Sequence, residues 1–273
     1  ATSASNTPLS TRLRSALGLL VFLIIALAMS RDRKAVKLRL VAWGLGLQFL
    51  FAVLILRTPP GRIVFEYAKS FIEQVLALSD QGAGFIFGKL ASGSSVTYID
   101  AASGDPTSIG MVFAFQILPT VIFFGALMSV LYHLGIIQAL VRGVATVMNK
   151  TMGTSGAESL SAAGNIFVGQ TESPLIIKPY VDKMTRSELM AVMCGGFATV
   201  AGGVLAAYAR FGIDPGHLLA ASVMSAPAAL VMAKIMEPET SLSDTADGQM
   251  KTSKAETSNI LDAAASGASD GLA

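Results

Sequence analysis

Between residues 153 and 184 the chain reads GTSGAESLSAAGNIFVGQTESPLIIKPYVDKM, and its centre gathers Asn165, Gln170, Thr171 and Glu172 beside Gly164, Gly169 and Pro174. Amides and hydroxyls both donate and accept hydrogen bonds, and a carboxylate accepts them, so this cluster could recognise a polar ligand. The stretch is too polar for a plain membrane span and too apolar for a loop. Glycine and proline at its centre break a helix and leave backbone groups unpaired. At membrane depth this is tolerated only where the backbone is buried in protein or lines a wet cavity. The pattern predicts a re-entrant hairpin of two half-helices over about residues 153–182, with its tip near the midplane, where helix ends and free carbonyls meet substrates and ions. Glu172 is the most informative side chain, because an intramembrane carboxylate marks function by default; a structural pair with Lys178 is the alternative. Directly after the hairpin, Gly195, Gly196, Thr199, Gly202 and Gly203 interrupt an apolar run. Close packing of small residues would explain the glycines; unwinding near Thr199 would explain them together with the polar hairpin.

Other chemistries are poorly supplied. Ser159, Ser161 and Ser173 have no basic partner placed to activate a nucleophile. A single cysteine and two histidines rule out a disulfide framework within the chain and a Cys- or His-rich metal cluster. A net charge of +2 is too small to suggest a nucleic-acid partner.

What must hold the hairpin is a membrane protein. Of 273 residues, 52% are hydrophobic and 14% charged, with mean hydropathy +0.60, whereas soluble domains carry about 25% charged residues. Residues 15–30 and 38–56 form two apolar runs around the basic cluster Arg31, Arg33, Lys34, Lys37 and Arg39. That cluster stands where a signal peptide would need a cleavage site, so the runs predict a helical hairpin. The positive-inside rule puts its loop in the cytoplasm and the N-terminus outside. Residues 59–92 mix Ile63, Phe65, Phe71, Ile72, Val75 and Leu76 with Arg62, Glu66, Lys69, Glu73 and Asp80, the spacing of an interfacial amphipathic helix; residues 92–108 read as a loop. Further spans are predicted over about 110–132 (with Pro119 expected to kink it), 189–208 and 217–236, with an interfacial helix over 134–148. From Glu237 the chain turns polar and reads as a flexible cytoplasmic tail.

The expected fold class is therefore an all-α integral membrane protein, with about five transmembrane helices, a re-entrant helical hairpin and interfacial amphipathic helices. The expected organisation is a two-helix hairpin over 1–58, an extracytoplasmic amphipathic segment and loop over 59–109, a transport core over 110–236 and a polar tail over 237–273.

At these motifs the chain resembles the concentrative nucleoside transporters. Asn165 to Leu175, NIFVGQTESPL, looks like the first re-entrant hairpin of that family, and Thr185 to Leu189 with Cys194 to Gly203 looks like its next helix. The likeness extends from the basic loop at Arg31 to the Ile260 to Ala264 stretch. It implies half of an inverted-repeat transporter fold, and a symporter that imports nucleosides on a sodium or proton gradient across a bacterial plasma membrane, as a homotrimer and without an organic cofactor. It implies that Gly169, Gln170, Thr171 and Glu172 bind the nucleoside, and that Asn165, Val168, Thr199 and Val200 bind sodium. The two valines would act through backbone carbonyls, an assignment that the resemblance alone supplies. Members of the family continue with further spans, a second hairpin and an Asn-Glu-Phe-Val-like motif. This chain carries none of them, so it is expected to hold half a substrate site. Two other classes stay open: a gate-like membrane protein of related architecture that moves no nucleoside, and an intramembrane enzyme using Glu172.

Overall fold

A computed structural model describes residues 9–91, 97–99, 105–108, 112–170, 173–200, 202–246 and 257–272. The basic cluster near the start does more than set orientation. Helices α1 (Leu9–Ala28) and α2 (Leu38–Arg57) flank it. Arg33 donates to the carbonyls of Leu27 and Ala28 at 3.1 and 3.0 Å, a basic side chain on the carbonyl end of α1. Arg31 pairs with Glu237 at 3.0 Å, and its backbone N–H donates to the Met236 carbonyl. This loop and the segment after residue 236 therefore share one face of the molecule.

The predicted amphipathic segment is a single helix, α3 (Pro59–Phe87), opened by Thr58 accepting from the Gly61 N–H and by prolines in the first turn. Its inward stripe is Ile72, Val75, Ser79 and Ala83. Charged contacts fasten its outer side: Arg210 pairs with Asp80 at 2.5 Å and donates to the Leu76 carbonyl and Thr120, and Lys69 pairs with Asp214. The loop beyond is not featureless, since β1 (Thr97–Ile99) pairs antiparallel with β2 (Pro106–Ser108), Tyr98 opposite Thr107.

Helix α4 (Phe113–His133) continues through Pro119, and α5 (Ile136–Met152) runs between two glycines with positive φ, Gly135 and Gly153. The hairpin region gives α6 (Gly156–Phe167), α7 (Ser173–Ile176) and a 3-10 turn over Lys178–Lys183. The run at 189–208 is not one span: it is α8 (Arg186–Ala198) and α9 (Gly202–Arg210), separated by a break. Helix α10 (Pro215–Met236) continues through Pro227. Among the described residues, only α2, α4 and α10 contain a stretch long and apolar enough to cross a membrane alone, and the apolar part of α1 is shorter. The expected five spans thus resolve among the described residues into three long helices, a shorter first helix and a broken pair. Helix α10 is the central pillar, with 56% of its span buried against 22% and 17% for α2 and α4. A helix apolar on all sides belongs in that position.

The expected free tail is corrected on the described residues. Residues 237–246 pack under the hairpin, where Thr245 is only 5% exposed. Helix α11 (Ile260–Leu272) then lies antiparallel along α4. Thr257 meets His133 at 2.7 Å, and further along Gly267 faces Gly125 and Gly271 faces Ile122. Glycines at 267 and 271 let the two backbones touch, the small-xxx-small contact of membrane helices.

Two outcomes follow from this packing. An added side chain at Gly44 would run into Val231 and Met152. Gly44→Val should cost about 1–3 kcal/mol through overpacking between α2 and α10, read as a lower unfolding temperature in detergent; an unchanged temperature would contradict that contact. Asp214 caps α10 through the Gly216 and His217 N–H groups, and the Lys69 ammonium that donates to it holds its carboxyl below the ordinary 3.8. Its contribution is present above the unfolded-state pKa and disappears as pH falls through the lower folded one. Asp214→Ala should cost about 1 kcal/mol at neutral pH, as loss of a cap does. Its deficit relative to wild type should close only below about pH 4.

Candidate substrate and cation site

The hairpin is built on a capped and fully buried half-helix. Ser155 and Glu158 exchange bonds as a capping box, and residues 156–166 of α6 are all buried. The helix ends because Gly169 takes φ +144°, a conformation that side chains disfavour, and its carbonyl accepts from the Ser173 N–H at 2.9 Å. The return strand is clasped to α6: Ser173 Oγ donates to the Ser161 carbonyl at 2.6 Å. Gly164 makes this approach possible, since an added Cβ would lie 2.8 Å from Ser173 Oγ. Ser161 and Ser173 thus clasp the two arms of the hairpin, and Ser159 bonds back to the Ser155 carbonyl.

Helices α6 and α8 run parallel from a shared base to a shared tip. At the base, Thr185 and Glu188 form a second capping box. Lys234 of α10 sits among Glu158 Oε2 at 2.5 Å, Ser187 Oγ at 2.8 Å and Glu239 Oε2 at 3.4 Å. Glu239 also accepts from Thr185, Ser243 donates to Glu188 at 2.5 Å, and the Thr245 carbonyl accepts from the Gly156 N–H. A cavity of about 170 Å³ opens here, lined by Lys37, Ser155, Glu158, Lys234, Glu239 and Ser243 among others.

Among the described residues of the tip the side chains are neutral. Asn165 is 1% exposed, and its Oδ1 has no hydrogen-bond partner. It packs on Gly195, where an added Cβ would stand 2.9 Å from Nδ2. Thr199, which caps the end of α8, donates to the carbonyl of that same Gly195 at 2.8 Å. Val168 caps the end of α6. Val200 lies in the break before α9, and its carbonyl accepts from Ser222 Oγ of α10 at 3.3 Å. Gln170 rests on Gly196 and is exposed. Beside it, Met193 and Phe197 of α8 are also exposed, Phe197 by 92%.

The predicted residues Asn165, Val168, Gly169, Gln170, Thr199 and Val200 therefore fall in the hairpin turn and the break of the next helix, with Asn165 and Thr199 meeting at Gly195. Thr171 and Glu172 lie outside the described residues. Two half-helices end here, and a helix C-terminus carries partial negative charge on its free carbonyls. With a buried amide oxygen lacking a partner and a hydroxyl alongside, the donor set is all oxygen, as a hard cation requires. Sequence reasoning missed Lys234 and Ser222. Lys234 carried a signal, being a charge inside an apolar run; Ser222, one small polar residue in a long helix, carried none.

Comparison with known proteins bears on the same residues. Residues 17–90 match the family profile "Na+ dependent nucleoside transporter N-terminus", 114–214 match "Nucleoside recognition", and 217–273 match "Na+ dependent nucleoside transporter C-terminus". The chain is 45% identical to sodium/nucleoside cotransporter 2 of Rattus norvegicus over 94% of its own length and 36% of the relative's. It is 44% identical to solute carrier family 28 member 3 of Homo sapiens over 93% of its length and 35% of that protein. Among solved structures, it is similar to CNTnw in an inward-facing substrate-bound state, with TM-score 0.85, 43% identity, and coverage of 95% of this chain and 61% of that one. A CNTnw variant in an outward-facing state gives TM-score 0.83 at 43% identity, covering 59% of that chain. The chain thus spans about a third of the curated relatives' length. Its helical architecture is that of half an inverted-repeat transporter. It is a multi-pass membrane protein and a member of the concentrative nucleoside transporter family, covering part of a full-length member.

Proposed function

We propose that the full-length gene product is a secondary active symporter that imports nucleosides on a sodium gradient, and that this chain supplies the cation site and the first half of the nucleoside site. The observation that carries the reading is Asn165: a buried amide oxygen without a partner, set where α6 and α8 both end. Leaving such a group unpaired costs about 1–3 kcal/mol, a cost that a bound cation would offset. In this reading Asn165 Oδ1, the Thr199 hydroxyl and the carbonyls of Val168 and Val200 hold sodium. None of the proposed cation ligands, Asn165, Val168, Thr199 and Val200, carries a side chain that titrates near neutral pH, which favours sodium over a proton as the coupling ion.

Gly169, Gln170, Thr171 and Glu172 contact the nucleoside base through amide, hydroxyl and carboxylate groups. The exposed Gln170 and the adjoining Met193 and Phe197 support a substrate site completed by residues beyond this chain. The matched families are transporters, which points away from an enzyme. Location in a bacterial plasma membrane and assembly as a homotrimer are carried by the family resemblance.

Radiolabelled uridine uptake by the full-length protein, with sodium or choline outside at fixed pH, tests the reading. Uptake should require sodium. Glu172→Gln should abolish it, and unimpaired uptake in that variant would remove Glu172 from the site. Asn165→Ala should raise the sodium concentration for half-maximal uptake by about tenfold or more. Uptake driven by a proton gradient and indifferent to sodium would overturn the cation assignment. No uptake under either gradient would favour a gate-like protein that moves no nucleoside.

A further inference from the structure

Ser222 lies buried in α10, and its hydroxyl does not bond back to its own helix. A serine or threonine in an apolar helix ordinarily donates back to the carbonyl about one turn earlier. Thr120 does so to Gln116 at 2.8 Å, Thr199 to Gly195 at 2.8 Å, and Ser225, on the same helix as Ser222, to the Ser222 carbonyl at 2.7 Å. Ser222 is 1% exposed, yet its hydroxyl turns away from α10 to the Val200 carbonyl, across the break between α8 and α9. The separation is 3.3 Å, long for an O–H···O bond, which falls at roughly 2.5–3.0 Å. Oxygens that share one hard cation at about 2.4 Å and right angles stand about 3.4 Å apart. The spacing suits two ligands of one ion better than a donor and its acceptor.

We propose that Ser222 Oγ is a further ligand of the coupling cation, an inference that rests on the sodium reading of Asn165, Val168, Thr199 and Val200 given above. With the ion present, the hydroxyl proton rotates off Val200 and a lone pair faces the metal, and the Val200 carbonyl keeps a second lone pair for the same ion. Without the ion, the hydroxyl donates to Val200 and satisfies a carbonyl that the helix break leaves exposed to an apolar interior. Ser222 therefore serves both states of the site. It also ties the ion to α10, the helix that holds the hairpin base through Lys234.

The test uses the full-length protein and two variants, Ser222→Ala and Ser222→Cys. Cysteine keeps the shape of serine but presents soft sulfur, which suits a hard cation poorly; it carries the test if the alanine variant fails to reach the membrane. Sodium for half-maximal uridine uptake should rise about tenfold in both variants, while the nucleoside KM at saturating sodium stays within about twofold of wild type. Sodium-induced thermal stabilisation of the purified protein in detergent should shift to higher sodium in parallel. Sodium-dependent wild-type uptake with unchanged sodium requirement in the variants would overturn the Ser222 proposal alone. Wild-type uptake that ignores sodium would overturn the sodium reading and Ser222 with it.

Discussion

The buried ammonium of Lys234 is the fastening on which the site depends. It joins three pieces of chain at one point: α6 through Glu158, α8 through Ser187, and the segment after α10 through Glu239. Lys234 and Glu158 are 5% and 2% exposed. Removing one partner from such a pair leaves an uncompensated buried charge and typically costs about 3–5 kcal/mol. The neighbouring pairs are different in weight. Arg31–Glu237 and Lys183–Asp244 are largely solvated, and exposed pairs contribute about 0–1 kcal/mol. The hairpin base is therefore held by this buried ion pair together with the Thr185–Glu239, Ser243–Glu188 and Gly156–Thr245 hydrogen bonds, and by capping boxes at Ser155–Glu158 and Thr185–Glu188 that fix where α6 and α8 begin.

From that base the two half-helices rise in parallel and stop together. Gly169 ends the hairpin's first arm, and Gly195 lets Asn165 press against α8 before α8 breaks at Thr199. Each break exposes carbonyls that lipid could not satisfy. At the break after α8 the molecule meets this with side-chain hydroxyls, Thr199 on the Gly195 carbonyl and Ser222 on Val200. The Asn165 amide oxygen is left over. A buried amide oxygen without a partner, beside the carbonyl ends of two half-helices, has the character of a site whose last partner is a ligand.

Much of this was legible from composition and local pattern, because the membrane imposes local rules. Apolar run length gave α2, α4 and α10. Charge interleaving gave α3, and glycines with Pro174 gave the hairpin and the break near Thr199. What stayed hidden was long-range. Nothing in the polar run after Met236 says that Thr245 will accept from Gly156 or that Gly267 will lie on Gly125. Those contacts depend on the hairpin base and on α4 already being in place, and the same serine-rich composition would suit a solvated tail. Pairing of Lys234 with Glu158 across 76 positions is equally invisible to periodicity, although each charge was visible alone.

Charge is distributed along the hairpin in a way that fits the proposed task. Glu158, Glu188, Glu239 and Lys234 sit at the base, where they serve as fasteners. The described residues of the tip offer neutral oxygens and the negative ends of two helix dipoles. A full carboxylate in direct contact would hold a cation strongly in a low-dielectric interior, by several kcal/mol more than a neutral dipole. Such an ion would be slow to leave, and a coupling ion must be released on each cycle: a transported ion needs binding favourable enough to enter and weak enough to exit. Neutral ligands on broken helices meet that requirement, and the proposed ligands Asn165, Thr199 and Ser222 are of that kind, where a resident metal site would use aspartate or glutamate.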